Sequence, residues 1–368
     1  MVLFFTSPIG LGHITRDIAI LEKMVNIHKK NMNLELKLIT GLKAYDFATT
    51  YAQVNSDKLN IKVLNLFNSP RFSVSNGVLK HNFLWLLRYL LYFRNSKTLI
   101  RKLLTTTSLD SPKTRSGTII SDEDFASISV AQDLRRSRIL ITDILSTHFV
   151  NSKLLSRMET FLNNSMCKLI SSSNCVIVPE LGDNKNNIVY VGPIVRETLF
   201  TREELRCRLL LSRKTILITT GGTHAGHYLI ENVLKVLRSL KSKFDFELIL
   251  SYPYELNVSG IEAINFRSIG FVQNIHEYIF AVDLVISLAG KSTIDECNVY
   301  GTPGIFIPIK NHFEQVERAK SLGFSFEDIH RLQIILEEYL SNIGVRKKSQ
   351  VKNGVSEAAQ IISEYLNE

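Results

Sequence analysis

Three short segments of this chain hold residues whose types and spacing suit chemistry. The first is SPIGLGHITRD, Ser7 to Asp17, where Gly10 and Gly12 stand just before His13. Two glycines in this spacing allow a tight turn and let a ligand approach the backbone closely. His13 then falls at the mouth of a helix, where an imidazole of ordinary pKa suits a general base. A histidine that only caps the helix is the competing reading. Acidic partners for it are expected at the ends of other strands: Asp122 and Asp124 in IISDEDFAS, and Asp143 in ILITD. Asp122 is the first choice, with an N-cap to a helix starting near Glu123 as its alternative. The second segment is TTGGTHAGH, Thr219 to His227. Backbone N–H groups of Gly221, Gly222 and Thr223, backed by a helix dipole, form a cradle suited to a diphosphate. The Walker Lys-Ser/Thr ending and the dinucleotide glycine spacing are both missing, so ATP hydrolysis and NAD binding lose support. The third is Thr293-x-x-Glu296, which by pattern alone is a capping box.

These segments need a scaffold, and the chain supplies one. Short β-branched runs (VLFFTS, LELKLIT, IKVLNLF, GTIISD, RILITD, CVIVPE) alternate with helical lengths in the first half. TILITTGG, FELILSY, IEAINF, LVISLAG and GIFIPIK repeat the scheme in the second. Strands that are apolar throughout and alternate with helices indicate parallel sheets covered on both faces, hence an α/β chain of two Rossmann-like domains. A strand ending at Gly192-Pro193, followed by a charged helix start at Thr201, places the boundary near residue 195. The expected division is 1–195, 196–353 and a final helix over 354–368.

A chain of 368 residues has room for two cores, and 21% charged residues with 45% hydrophobic ones are ordinary for a folded globular protein. Cys167, Cys175, Cys207 and Cys297 show no metal-ligand spacing and no disulfide framework, which fits a reducing cytoplasm. MVLFFTSPIG reads as a first strand rather than a signal peptide, and no segment reaches the length of a membrane span. The net charge of +9 could attract nucleic acid, anionic lipid or phosphorylated substrates, and charge alone does not choose among them; on the reading of the whole chain nucleic acid is not expected as a partner. One basic amphipathic stretch, Val78 to Leu104, has two readings. It lies in the interface of an anionic membrane, or it packs as a core helix with its apolar face on the first sheet; both hold if that core helix projects Trp85 and Tyr89 outward.

The segment GFVQNIHEYIFAVDLVISLAGKSTIDECNVYGTPGIFIPIKNHFEQVERA, Gly270 to Ala319, resembles the donor-binding half of GT-B glycosyltransferases. In pattern it is most similar to the N-acetylglucosaminyltransferase that forms lipid II and to glucuronosyltransferase-like enzymes. The resemblance implies two Rossmann-like domains with parallel sheets facing a central cleft, the first binding an acceptor and the second a nucleotide sugar, with the final helix over 354–368 crossing back to the first domain. It implies that Glu296 binds the donor ribose, that Gly290, Ser292 and Thr293 face the phosphates, and that Glu314 and Gln315, beside His312, contact the sugar hydroxyls. Phe271 and Val272 would line the uracil pocket. His13 matches the family's acceptor-side histidine, with Gly10, Gly12 and Arg16 on the acceptor side or phosphate loop and Asp122 orienting the base. The implied reaction is an inverting transfer of a sugar from a UDP-sugar, such as UDP-N-acetylglucosamine, to an unidentified acceptor that a lipid could carry. No cofactor and no metal are expected, since backbone donors and helix N-termini would stabilise the leaving diphosphate. Expected partners are thus the donor, a lipid-linked acceptor and an anionic membrane surface, at the inner face of the cell membrane. Two alternatives stay open. One is a UDP-sugar hydrolase or 2-epimerase of the same fold, since Gly-His-x-x-Arg is similar to the start of such hydrolases. The other is a non-catalytic subunit of a membrane complex.

Overall fold

The computed structural model describes residues 2–28, 36–56, 61–106, 117–147, 153–221, 224–254, 266–343, 346 and 349–367. In chain order the first half runs β1 (Val2–Thr6), α1 (Gly12–His28), β2 (Leu36–Thr40), α2 (Leu42–Val54) and β3 (Ile61–Asn65). A hairpin of β4 (Ser73–Ser75) and β5 (Val78–Lys80) follows, then α3 (Asn82–Thr106), β6 (Ile119–Asp122), α4 (Phe125–Asp133), β7 (Arg138–Ile141), α5 (Lys153–Ser172), β8 (Cys175–Val178) and β9 (Ile188–Tyr190). The second half comprises α6 (Arg202–Arg208), β10 (Thr215–Thr219), α7 (His227–Leu240), β11 (Glu247–Ser251), β12 (Phe266–Ser268), α8 (Ile275–Ala281), β13 (Leu284–Leu288), α9 (Lys291–Tyr300), β14 (Gly304–Ile307), α10 (Phe313–Ser321) and α11 (Leu332–Ser341). Helix α12 (Val355–Asn367) closes the chain.

Among the described residues, seven strands form one parallel sheet in the order β3-β2-β1-β6-β7-β8-β9, and five form another in the order β12-β11-β10-β13-β14. The cause is visible in single strands. β1, β6, β8, β10 and β13 are buried along their whole length, as strands covered on both faces must be. Alternation then sends Phe4 into a core shared with α1 and α12, and Leu3 and Phe5 into one shared with α3 and α4. Each sheet has one point where the strand order reverses, between β1 and β6 in the first and between β10 and β13 in the second. Open α/β sheets bind ligands at the carboxyl ends of strands beside such a point.

The chain divides into two compact units, residues 1–71 with 81–196 and 353–368, and residues 72–80 with 197–352. Residues 72–80, expected in the N-terminal domain, belong to the second unit. Helix α12 lies against α1 in the first, buries Val355, Ala358, Ala359 and Ile362 there, and is tied by the Asn353 amide to the Val195 carbonyl at 2.9 Å.

Three local expectations need correction. Trp85 does not project outward: it is buried, and its indole N–H donates to the Pro70 carbonyl at 3.2 Å, with Tyr89 stacked against it. The helix expected near Glu123 starts at Phe125, and its N-cap is Asp124, whose carboxylate accepts from the Ser127 amide. The strand expected over IEAINF lies outside the described residues except at Phe266, where β12 begins.

Candidate functional site

In the first unit the pieces meet at the reversal point. Thr6 at the end of β1 is paired in register with Asp122 at the end of β6, and Asp122 with Ile141 at the end of β7. Beyond Thr6 the chain turns through Gly10, whose φ of +78° is left-handed and whose Cβ position meets no neighbour, so the glycine is needed for conformation and not for space. Gly12 opens α1, and this swings His13 and Arg16 back over the strand ends. Asp122 is fully buried and is the hub. It receives His13 Nδ1 at 3.0 Å, Arg16 Nε at 2.8 Å on Oδ2 and Arg16 Nη2 at 2.5 Å on Oδ1. Arg16 also reaches Asp143 Oδ1 at 3.4 Å. A bidentate Arg–carboxylate pair fixes the carboxylate's plane, so Asp122 in turn fixes the imidazole.

The electrostatics follow from this hub. Burial works against ionising Asp122, but the charges of Arg16 and then His13 outweigh it and hold the carboxyl well below the usual range. Burial also disfavours a charged His13, yet the Asp122 charge and hydrogen bond win and raise its pKa above the ordinary value. With Nδ1–H donated to Asp122, the lone pair is on Nε2, the tautomer a general base needs. His13 keeps 22% of its side-chain surface exposed, enough to meet a ligand, while Arg16 and Asp143 are buried. Glu123 takes a positive φ of 56° and accepts from Thr142 Oγ1 at 2.7 Å and the Asp143 amide at 3.0 Å. Burial, and then the Asp143 charge, push its carboxyl up to about 8. Asp17, under the same hub, accepts from Thr6 Oγ1 at 2.6 Å and is driven well above the carboxylate range by burial and by Asp122. The structure thus brings His13, Arg16, Asp122 and Asp143 together and leaves Asp124 apart as a cap.

The second unit assembles its candidates around its own reversal point. Gly221 follows β10 with a φ of +67°; Gly222 and Thr223 lie outside the described residues. Gly290 follows β13 and is the N-cap of α9, placing Ser292 and Thr293 in the first turn. Thr293 is therefore inside the helix, which removes the capping-box reading of Glu296. Glu296 is buried at 4% exposure. Gly270 turns the chain before Phe271, which is exposed, and Val272, which is half-buried. Glu314 and Gln315 start α10: Glu314 pairs with Arg318 at 3.5 Å, and Gln315 Oε1 accepts from the Ile309 amide at 3.0 Å, which leaves its NH2 as a donor. Among the described residues no group of three or more His, Cys, Asp or Glu side chains is arranged to hold a metal.

Some residues here escaped sequence reasoning. Tyr252, after β11, sets its hydroxyl 3.3 Å from His227 Nδ1 and 3.5 Å from His224 Nδ1, and Tyr254 stacks on His224. Their position just past a strand end was the available signal. Arg346 gathers the carbonyls of Phe280, Tyr300 and Gly301 at 2.6, 2.5 and 3.0 Å, tying down the ends of α8 and α9, and nothing in its local sequence marks that role.

Comparison with known proteins bears on both units. Residues 215–350 match the model of the glycosyltransferase family 28 C-terminal domain. An uncharacterised glycosyltransferase of Methanopyrus kandleri is 24% identical over 213 residues, covering 54% of this chain and 58% of its own length. A UDP-N-acetylglucosamine–N-acetylmuramyl-(pentapeptide) pyrophosphoryl-undecaprenol N-acetylglucosamine transferase of Caldicellulosiruptor saccharolyticus is 28% identical over 214 residues, covering 50% of this chain and 57% of its own. The match thus spans little more than half the length of these curated relatives. Among solved structures, the kitacinnamycin glycosyltransferase superposes with a TM-score of 0.63 at 13% identity, over 99% of this chain and 98% of its own. The MurG protein of Acinetobacter baumannii does so with 0.59 at 12%, over 99% and 100%. At such identities the superpositions speak for the fold. The chain therefore has the GT-B fold of two Rossmann-like domains, matches the glycosyltransferase family 28 C-terminal domain over residues 215–350, and resembles the N-acetylglucosaminyltransferases that form lipid II.

Proposed function

We propose that this protein is a glycosyltransferase that moves a sugar from a UDP-sugar, UDP-N-acetylglucosamine being the first choice, to an acceptor hydroxyl. The observation that carries the reading is the His13–Asp122–Arg16 hub at the reversal point of one sheet, in a chain whose other sheet has the family 28 domain. In the mechanism, His13 Nε2 takes the acceptor proton as that oxygen attacks the anomeric carbon from the face opposite the leaving group, inverting the centre. Asp122 stabilises the imidazolium that forms. UDP leaves with the bonding electrons, its charge met by the backbone donors at the start of α9, after Gly290. Glu296 accepts both ribose hydroxyls. Glu314 and the Gln315 amide hold the sugar. Phe83, Leu84, Leu87 and Leu91, exposed on α3, favour an acceptor presented on a lipid.

The test is to incubate the purified chain with a panel of UDP-sugars and candidate lipid acceptors and to follow UDP release and product. His13→Ala should cut turnover by about 10²–10⁴ while UDP affinity holds. A variant turning over at the parent rate removes His13 as base. Glu296→Ala should weaken UDP by about 1–3 kcal/mol, because two hydroxyls lose a buried acceptor. Calorimetry reads this directly, and unchanged UDP affinity rejects the ribose role. Free sugar appearing without acceptor would mark water as the true acceptor and assign a hydrolase.

A further inference from the structure

The hairpin of β4 and β5 is made early in the chain, between segments of the first unit, yet it is built into the second. Its turn is Asn76-Gly77, with φ of 48° and 71°, the pairing of positive angles that a two-residue hairpin turn demands. Leu79 is buried in the second unit's core, and Phe72 and Val74 pack against it. The hairpin bonds to one place in particular. The Leu79 amide donates to the Lys310 carbonyl and the Lys310 amide to the Gly77 carbonyl, each at 2.9 Å, so Val78 and Lys310 form a parallel bridge just beyond the carboxyl end of β14. Gly77 lies so close to the Tyr228 ring that a Cβ there would fall 2.3 Å from it, and the Tyr228 hydroxyl donates to the Pro308 carbonyl at 3.1 Å. Phe72 completes the contact by setting its ring 5.2 Å from that of His312.

The segment so held, Pro308 to His312, leads directly into Glu314 and Gln315. His312 N reaches Ile309 O at 3.1 Å, Ile309 N is bonded by the Gln315 side chain, and Asn311 sits at a φ of 68°. His312 Nδ1 is buried without a hydrogen-bond partner. A segment with a left-handed residue and an unsatisfied imidazole holds one conformation only when its surroundings impose it.

We propose that the Phe72–Lys80 hairpin is a positioning element for the donor-sugar segment: it pairs across Lys310 and packs Phe72 on His312, and Phe72 thereby sets how firmly the sugar, as opposed to the nucleotide, is held. This rests on the donor role given above to Glu314 and Gln315. The nucleotide contacts proposed above, at Gly290 to Glu296 and Phe271, lie on other segments.

The experiment uses the full chain with Phe72→Ala, Phe72→Leu and Phe72→Tyr. Phe72→Ala should raise KM for the UDP-sugar roughly tenfold with kcat little changed, and leave the Kd for UDP within about twofold. Phe72→Tyr should restore the parent KM. A second readout needs no donor. In the parent the His312 imidazole is held down to about 4, by burial and then by Arg318, and NMR titration of its ring should show it rising in Phe72→Ala. Phe72→Leu keeps the apolar packing if the alanine variant melts early, and it should move both readouts in the same direction by less. An unmoved His312 titration together with an unchanged sugar KM overturns the proposal. If the parent binds neither UDP nor UDP-sugar, the donor reading fails by itself while the His312 titration still decides the hairpin's role.

Discussion

Glu123 sits between two acids in sequence and beside a third in space, yet its ligands are neutral: a threonine hydroxyl and a backbone amide. Its carboxyl is pushed up to about 8, so between the unfolded value near 4.5 and 8 the folded chain keeps a proton that the unfolded chain has released. Stability from this group is full below pH 4.5 and is lost as pH rises toward 8. Glu123→Gln keeps an oxygen for both donors and has no proton to lose. It should therefore raise the melting temperature at pH 8 clearly more than at pH 5, and thermal scans at the two values check it; an equal shift at both would mean that Glu123 is ionised throughout. At this scale the sequence named the right residue types and, in Asp122, the partner of His13, but not the bidentate pairing of Arg16 with the same carboxylate. His13, Arg16, Asp122 and Asp143 could be listed from their positions at strand and helix ends. That Asp124 caps α4 while Asp122 holds the histidine depends on a turn of two residues, and periodicity does not resolve so short a displacement.

Helix α3 shows what an element's pattern conveys and what it hides. Its parallel-sheet neighbours were legible because each is apolar from end to end. α3 is apolar on more than one side: Leu86, Ile100 and Leu104 are buried, while Phe83, Leu84, Leu87 and Leu91 are exposed, Leu91 at 63%. Counting hydrophobic residues cannot say which side faces the sheet, and Trp85, which the pattern allows to project outward, is buried. The hairpin was harder still, although Asn-Gly between short alternating runs was its signal, because its bonding partner lies more than 200 residues away. The exposed row on α3 has Arg88 and Arg94 beside it, both exposed, whereas Lys97 and Arg101 are engaged by Asp133 at 3.6 and 2.6 Å. An apolar row flanked by free arginines suits an anionic membrane surface. No helix among the described residues is long and apolar enough to cross one. The chain should co-sediment with anionic vesicles at low salt, and changing Leu84, Leu87 and Leu91 together to Ser should lower that binding without lowering the melting temperature. Absence of binding by the parent at low salt sinks the membrane role.

Across the whole molecule, the two-unit plan was legible because two runs of strand-helix alternation are separated by Gly192-Pro193 and a charged helix start. The return of the final helix to the first unit follows from the family resemblance; what neither it nor the alternation reveals is that residues 72–80 leave the first unit for the second. Helix α12 completes the first unit after the second has been traversed, and its Val355, Ala358, Ala359 and Ile362 cover α1. Burial of those four side chains contributes roughly 5 kcal/mol. Ending the chain at Lys352 should therefore lower the melting temperature of the first unit sharply and leave UDP binding by the second in place; differential scanning calorimetry with and without UDP separates the two, and an unshifted first transition would show that α12 is dispensable.

The same return of the chain has a consequence for synthesis. The last strand of the first sheet leaves the ribosome with Tyr190, but the helix that covers α1 emerges more than 150 residues later, on the order of 10 s at ordinary elongation rates. During that interval the nascent first unit shows a bare apolar helix face, and the Phe72–Lys80 hairpin waits for Tyr228 and Lys310 to be made. The window between those two events, more than any weakness of the finished protein, is when this chain is most open to aggregation.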